Sequence, residues 1–136
     1  MLFVIDSNEY IFAFGSLEKS KSLSFLHSLL DNPQLHTIRI PRTIYEEVKR
    51  NLTSAAFKEF NKFTNSLTTI EEDIIVTFEI AFKYEAKGLK SADAFIAAFT
   101  EWVGADALVT ENRHFLIHHS DLPFKVVTAE DCLKLI

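Results

Sequence analysis

The sequence has little of what builds disulfide-rich or membrane-embedded proteins. Cys132 is the only cysteine, which excludes an internal disulfide and a thiolate metal cage and fits a reducing compartment. The first apolar run is interrupted by Asp6 and Glu9 before it could serve as a signal peptide, and no later run approaches the length of a membrane span. We therefore expect a cytoplasmic protein without a membrane partner.

Positive charge is also scarce. The chain has 14 Lys and Arg residues against 19 Asp and Glu residues, which gives a formal net charge of -5. Nucleic-acid binding normally shows as a basic surface, so this balance argues at first against such a partner. The objection weakens if several acids share a divalent cation, because the bound ion would reverse the local charge.

Apolar residues are plentiful and make up 48% of the 136 residues, with 13 phenylalanines among them. This length and composition predict a single domain over residues 1–136, without a linker or an internal repeat. The phenylalanine rings are expected to fill the core or to cover a partner surface. Two phenylalanine-rich helical segments in the middle of the chain leave both alternatives open: a hairpin that closes the core, or a pair that forms a flap over the sheet or a contact for another chain.

Short apolar runs alternate with helical patterns along the chain. Strands are predicted over residues 2–5, 35–40, 107–109 and 124–127. Helices are predicted over 9–14, 20–30, 41–52, 54–67, a long segment through positions 74, 78 and 82, 91–103 with Ser91 as N-cap, and 129–135. This order predicts an α/β protein with a short central parallel sheet in a three-layer α/β/α arrangement.

Two acidic positions are informative about where a site would lie. Asp6 follows the first predicted strand, and ligands of open α/β sheets bind beyond the carboxyl ends of strands, although Asp is also a frequent helix N-cap. On the helix after Pro41, Glu47 falls roughly 100° from the middle of the apolar face and Glu46 roughly 160° from it, at about 100° per residue. We expect Glu47 beside the core and Glu46 in water.

Acidic and amide residues recur near predicted strand ends and helix starts, at Asp6, Glu47, Asp93 and the pair Glu111-Asn112. Because right-handed crossovers bring successive strand ends to one edge, we expect the acids within coordination distance of one ion. Clustered carboxylates raise one another's pKa unless a cation binds, and Mg²⁺ or Mn²⁺ prefers oxygen ligands. Such an ion activates water for phosphodiester hydrolysis, so no Ser, Cys or His nucleophile is required.

In this order and spacing the sequence resembles a PIN domain over essentially its whole length. The likeness is carried by Val4-Ile5-Asp6-Ser7-Asn8, by the helix from Pro41 to Leu52 with its acidic pair before Val48, by Gly88-Leu89-Lys90-Ser91-Ala92-Asp93-Ala94-Phe95-Ile96-Ala97-Ala98, and by Gly104-Ala105-Asp106-Ala107-Leu108-Val109-Thr110-Glu111-Asn112-Arg113-His114-Phe115. The resemblance implies a PIN-like fold and an Mg²⁺- or Mn²⁺-dependent ribonuclease that cuts single-stranded or structured RNA. It also implies a toxin of the VapC type, with an antitoxin protein and a second copy of the chain as partners.

The resemblance implies a role for each matching position. It makes Asp6 the first metal ligand, Glu47 the second and Asp93 the third. It makes Asn8 a support for the first Asp, and Thr110 a residue that orients substrate or metal water. Asn112 stands where the family usually has a fourth Asp, with Glu111 just before it. Asn supplies an oxygen but no charge, which disfavours a second metal and predicts weaker metal binding.

Three basic residues flank the proposed ligands and are candidates for phosphate contacts: Arg42, Lys90 and Arg113. A second hypothesis is a non-catalytic or weakly active module of the same fold that binds RNA or a protein partner. Its support is the acidic net charge, the phenylalanine-rich helical pair and the amide at position 112. A phosphatase with Asp-x-Asp after the first strand is a weaker alternative, because Asn8 replaces the second Asp.

Overall fold

The computed structural model describes residues 1–15, 20–67, 70–117 and 121–136. Strands and helices alternate through these residues. In chain order they are β1 (Leu2–Ile5), α1 (Ser7–Phe14), α2 (Ser20–Asp31), β2 (Thr37–Ile38), β3 (Ile40–Pro41), α3 (Arg42–Asn51), α4 (Ser54–Leu67), β4 (Ile70–Glu71), a 3-10 turn (Asp73–Ile75), α5 (Phe78–Ala86), α6 (Ser91–Trp102), β5 (Ala107–Val109), α7 (Arg113–Ile117), β6 (Lys125–Val127) and α8 (Ala129–Leu135). None of the described helices is long and apolar enough to span a bilayer.

A four-stranded parallel sheet in the order β2-β1-β5-β6 forms the centre of the molecule. β1 is an inner strand, in which Phe3 pairs with Ile38 on one side and with Ala107 on the other. The strand reads as an uninterrupted apolar run because it is covered on both faces. The predicted three-layer α/β/α arrangement around a short parallel sheet is confirmed.

The predicted strand over residues 35–40 is divided between two sheets. β2 joins the central sheet, whereas β3 pairs with β4 in a separate parallel ladder in which Ile40 lies opposite Ile70. The prediction of one long helix through positions 74, 78 and 82 is wrong at its start. Position 74 lies in the 3-10 turn, and the α-helix α5 begins at Phe78. Sequence periodicity missed β4 because its partner strand lies about 30 residues away in the chain.

Two further local features differ from what the sequence predicts. Lys90, and not Ser91, occupies the N-cap position of α6, and no side chain caps that helix. The helix α7 was not predicted, because five residues are too few for a periodic apolar pattern. Gly88 follows Lys87, the C-cap residue of α5, and lies in the left-handed region at φ 101°, where a glycine is the least strained residue.

The two phenylalanine-rich helices behave differently. In α4, Phe60 and Phe63 are buried and pack edge-to-face against Tyr10 of α1, with ring centroids 5.0 and 6.1 Å apart. In α5, Phe78 is 81% exposed and Phe82 61% exposed, and the two rings stack on each other at 6.2 Å. The first helix therefore closes the core, and the second leaves an apolar surface.

Candidate active site

A small pocket lies beyond the carboxyl ends of β1 and β5, where the sequence predicts a site. Its volume is about 110 Å³, and it is lined by Asp6, Ser7, Asn8, Thr43, Glu47, Ala92, Asp93, Ile96 and Asn112. These residues come from four separate parts of the chain. The crossovers of a parallel sheet bring them together at one edge.

Asp6 is both a helix cap and part of the pocket wall, so the two interpretations of this residue are compatible. Its Oδ1 accepts a hydrogen bond from Ser7 N at 2.8 Å, which caps α1, and its Oδ2 accepts one from Thr110 Oγ1 at 2.7 Å. Burial raises the pKa of Asp6, and the charges of Glu47 and Asp93 raise it further, while the two hydrogen bonds lower it.

Thr110 acts through Asp6 and does not line the pocket. It is fully buried, and its hydroxyl donates to Asp6 while accepting a hydrogen bond from Asn112 N at 3.0 Å. A single hydroxyl therefore fixes the Asp6 carboxylate and the start of the loop that carries Asn112. This placement suits a supporting residue rather than one that touches substrate.

Asn112 reaches the pocket with a defined orientation. Its Oδ1 accepts a hydrogen bond from His114 N at 2.9 Å. Because a backbone N–H can only donate, the atom facing it is the amide oxygen, and the Nδ2 end carries the two donors of the amide. The resemblance implies an oxygen supplied at this position, but the structure already uses that oxygen at the beginning of α7.

Glu47 and Asp93 complete the acidic lining. Glu47 lies one helical turn after Thr43 on α3, and Asp93 lies in the first turn of α6. Both are partly exposed, and within the described parts of the chain neither carboxylate pairs with a Lys, Arg or His. Glu46 instead lies 3.8 Å from the Arg42 guanidinium, in agreement with the helical phase that separates it from Glu47.

The three pocket carboxylates are not tightly clustered. Across residues 1–15, 20–67, 70–117 and 121–136, no three His, Cys, Asp or Glu side chains converge closely enough to hold a metal ion. Asp6, Glu47 and Asp93 line one pocket without meeting. Like charges repel, and the partial exposure of Glu47 and Asp93 lets water screen both carboxylates.

The chemistry of the donor set nevertheless fits a hard divalent cation. Carboxylates are the strong ligands of the lining, with amides and hydroxyls beside them, and none of its described residues is basic. Mg²⁺ and Mn²⁺ prefer such oxygen ligands. A carboxylate has about four lone-pair positions, so Asp6 keeps acceptor capacity after its two hydrogen bonds. Asp6, Glu47 and Asp93 are the residues that would hold the ion.

Glu111 points away from the pocket. Its Oε2 accepts a hydrogen bond from Ala129 N at 3.0 Å at the start of α8, and it faces Glu9 on α1. Glu9 is fully buried; its Oε2 accepts from Ser22 Oγ at 2.8 Å, and its Oε1 has no donor among the described residues. Burial and the contact with Glu111 raise the pKa of Glu9 to about 9. Burial therefore favours the neutral form of Glu9, which can donate a hydrogen bond toward Glu111.

Sequence reasoning missed Glu9 because the local signal pointed to another role. The spacing Asp6-Ser7-Asn8-Glu9 is typical of a capping box, in which the Glu bonds back to the N–H of the cap residue. Here the Asp6 N–H already donates to Val109 O at 2.9 Å in the sheet. Glu9 is consequently free to turn inward, toward Ser22.

The three basic candidates lie outside the pocket lining. Arg42 is held by acids, with its guanidinium 2.8 Å from Glu72 and 3.8 Å from Glu46. Lys90 precedes α6, and Arg113 begins α7 directly after Asn112; both are exposed. A larger cavity of about 670 Å³ lies elsewhere, beside Asp106 and β6, and none of the proposed ligands lines it.

Comparisons with known proteins give a fold and no family. No protein-family model matches the sequence, and no curated protein matches it. One solved structure that resembles the chain is that of VapBC2 from Rickettsia felis bound to a DNA fragment from their promoter, with a TM-score of 0.62, 18% identity, and 93% of this chain and 97% of that chain covered. FitAcB from Neisseria gonorrhoeae gives the same TM-score of 0.62 and the same coverage of 93% and 97%, at 11% identity. At these identities, the comparisons establish that the chain shares its fold with a chain of each complex.

Proposed function

We propose that this chain is an Mg²⁺- or Mn²⁺-dependent endoribonuclease that hydrolyses phosphodiester bonds of single-stranded or structured RNA, as the toxin of a toxin–antitoxin pair. The observation that carries the proposal is the pocket lined by Asp6, Glu47 and Asp93, which no described basic residue lines. Two further observations support the same conclusion. The chain shares its fold with chains of VapBC2 and FitAcB, and its sequence motifs resemble those of VapC-type PIN domains.

The chain's own residues would divide the work as follows. Asp6, Glu47 and Asp93 hold the ion, which when bound supplies Lewis-acid activation of the phosphodiester and of the attacking water. Thr110 and Ser7 N fix the Asp6 carboxylate before substrate arrives, which limits the reorganisation that binding requires. Asn112 presents amide donors suited to a phosphate oxygen, and the backbone of α7 fixes its orientation.

The test is cleavage of a labelled single-stranded RNA by the purified chain. We expect cleavage with Mn²⁺ or Mg²⁺, none with EDTA, and none by Asp6→Asn or Asp93→Asn. Glu79→Gln is a control for net charge, because it also removes one acidic charge but is exposed and lies on α5, outside the pocket. Cleavage that persists in EDTA, or in both pocket variants, contradicts the proposal. Growth arrest on induced expression, relieved by Asp6→Asn, would support the toxin role.

A second candidate function is a protein-binding module, and one specific observation favours it. Ile74, Phe78 and Phe82 are 91%, 81% and 61% exposed, which is unusual for large apolar side chains that lie within nine residues of one another. Uptake of no Mn²⁺, together with tight binding to a co-expressed neighbouring protein, would favour this function over catalysis. The apolar surface and the pocket are formed by different residues, so both functions are compatible in one chain.

A further inference from the structure

An acidic run on β4 and the 3-10 turn covers the beginning of α3. Its three members are Glu71, Glu72 and Asp73, and each engages a different group: Arg39, Arg42 and Thr43 respectively. α3 begins after Pro41 without a side-chain cap of its own, so its first N–H groups require acceptors from elsewhere. Asp73 meets this need by accepting from both Thr43 N, at 3.1 Å, and Thr43 Oγ1.

The three acids of the run differ in how easily another acceptor could replace them at their donors. Glu71 receives two hydrogen bonds from Arg39, including one from Nε at 2.7 Å, and its side chain is only 18% exposed. Asp73 also makes two contacts, and both are partly buried. Glu72 makes a single contact with Arg42, and its side chain is 61% exposed. The outer two acids therefore anchor the run, while solvent competes freely for the middle one.

Arg42 lies outside the pocket lining, at the start of the helix α3 that carries the pocket residues Thr43 and Glu47, and its guanidinium also lies 5.7 Å from the centre of the Tyr45 ring. It is the residue before Thr43, which lines the candidate pocket, and its side chain is 40% exposed. Arg42 also lies 3.8 Å from Glu46, the neighbour of the pocket residue Glu47. A guanidinium donates to phosphate and to carboxylate oxygens with the same N–H groups, so an RNA phosphate can replace the Glu72 carboxylate.

We propose that Arg42 is a phosphate-binding residue of this site and that Glu72 is an internal phosphate mimic, which RNA displaces when it binds beside the pocket. The proposal rests on the proposed function for the identity of the ligand. It explains how an acidic chain keeps a cationic contact for RNA: the arginine is neutralised by an exchangeable carboxylate until a phosphate arrives. Glu72 thereby raises the concentration of RNA required for binding and selects against isolated anions that cannot make further contacts.

The experiment measures dissociation constants of a fluorescein-labelled single-stranded RNA by anisotropy, in EDTA so that no cleavage occurs. Glu72→Gln is expected to bind roughly three- to fivefold tighter than the natural chain at low salt. The slope of log Kd against log salt concentration should be shallower in Arg42→Gln, by roughly 0.7 for one lost phosphate contact. Arg42→Gln should bind more weakly, and the double variant Arg42→Gln/Glu72→Gln should show no gain over Arg42→Gln.

Glu59→Gln is the matched control for charge. Glu59 is also an exposed acid in a single ion pair, with Lys62 at 3.1 Å on α4, so its removal tests the effect of net charge alone. Equal effects of Glu59→Gln and Glu72→Gln, a gain that survives Arg42→Gln, or the absence of RNA binding in every variant would each overturn the proposal. If Glu72→Gln binds RNA more tightly but the natural chain shows no Mn²⁺-dependent cleavage, the phosphate-mimic proposal stands and the ribonuclease function is rejected. If the natural chain cleaves RNA but Glu72→Gln and Glu59→Gln change binding equally, the ribonuclease function stands and the phosphate-mimic proposal is rejected.

Discussion

Thr43 belongs to two acidic surroundings, because it lines the pocket and also donates a hydrogen bond to Asp73 of the acidic run. The acids of the two sets differ in whether they have partners. The pocket acids Asp6, Glu47 and Asp93 have no basic side chain in their described surroundings, whereas each member of the acidic run has a donor of its own. Acids that are paired one by one stabilise a local structure. Acids that are gathered without partners repel one another, and they need a cation from outside the chain. The comparison separates an acidic run that supports the start of α3 from the acids for which we propose a metal-binding role.

The largest expected effect comes from neutralising the pocket acids. Asp6→Asn and Asp93→Asn should each lower Mn²⁺-dependent RNA cleavage by at least about 100-fold, because each removes a charge that would hold the ion. Thermal unfolding of the same variants should show that they fold. If either variant keeps more than a tenth of the activity, the distinction between the two acidic groups fails.

Glu9 sharpens the comparison, since it is a fully buried acid without a Lys, Arg or His partner among the described residues. Its pKa is raised from 4.5 to about 9, so the folded chain holds this proton more tightly than the unfolded chain. The contribution to stability is complete below 4.5 and is lost as the pH rises toward 9. Glu9→Gln keeps a donor for Glu111 and an acceptor for Ser22 at every pH. Relative to the natural chain, its free energy of unfolding should therefore increase with pH, by at most about 1.4 kcal/mol per unit.

The measurement is chemical denaturation of both chains at about pH 5 and about pH 8. A difference in unfolding free energy that stays constant between these two values would show that Glu9 ionises normally in the folded chain. Cys132 provides a check on burial in the same region: its thiol pKa is raised to about 12 by burial and by the charge of Glu9, so it should react slowly with thiol reagents.

A smaller effect is expected when the anchor of the acidic run is removed. Asp73→Ala leaves Thr43 N and Thr43 Oγ1 without their acceptor, and it should lower the free energy of unfolding by about 1–2 kcal/mol. Asp73→Asn retains an oxygen for Thr43 N and should lose less. Because Thr43 lines the pocket, Asp73→Ala should also reduce cleavage. Equal stability of the two variants would argue against the capping role.

The smallest effect is expected at exposed ion pairs. Glu59→Gln breaks an i,i+3 pair in which the Glu59 and Lys62 side chains are 61% and 72% exposed, and its unfolding free energy should stay within about 0.5 kcal/mol of the natural value. A larger loss would mean that surface pairs contribute more here than their exposure suggests, and it would weaken the use of this variant as a control.

Much of the fold could be predicted because it depends on local patterns. The buried run 2–5, the amphipathic helix 54–67 and the closing helix 129–135 are read from neighbouring residues, and the structure has them at those positions. The ladder between β3 and β4 could not be predicted, since Ile40 and Ile70 are opposite each other only in the folded chain. The same separation hid the contacts of the acidic run.

The site could be predicted in location but not in detail. Asp6 follows a strand and Asp93 opens a helix, so topology alone places both at the carboxyl edge of the sheet. The partners of each side chain depend on geometry that no spacing reveals. Examples are the Asn112 oxygen bound to His114 N and the inward turn of Glu9, neither of which has a distinct sequence signal.

The most direct test of the central claim is titration of the metal-free chain with Mn²⁺ by isothermal calorimetry, with Asp6→Asn and Glu79→Gln titrated beside it. The account predicts one saturable site in the natural chain and in Glu79→Gln, and its loss in Asp6→Asn, because Asp6 belongs to the unpaired acids and Glu79 does not. No saturable Mn²⁺ binding by the folded natural chain, or equal binding by Asp6→Asn, would contradict it.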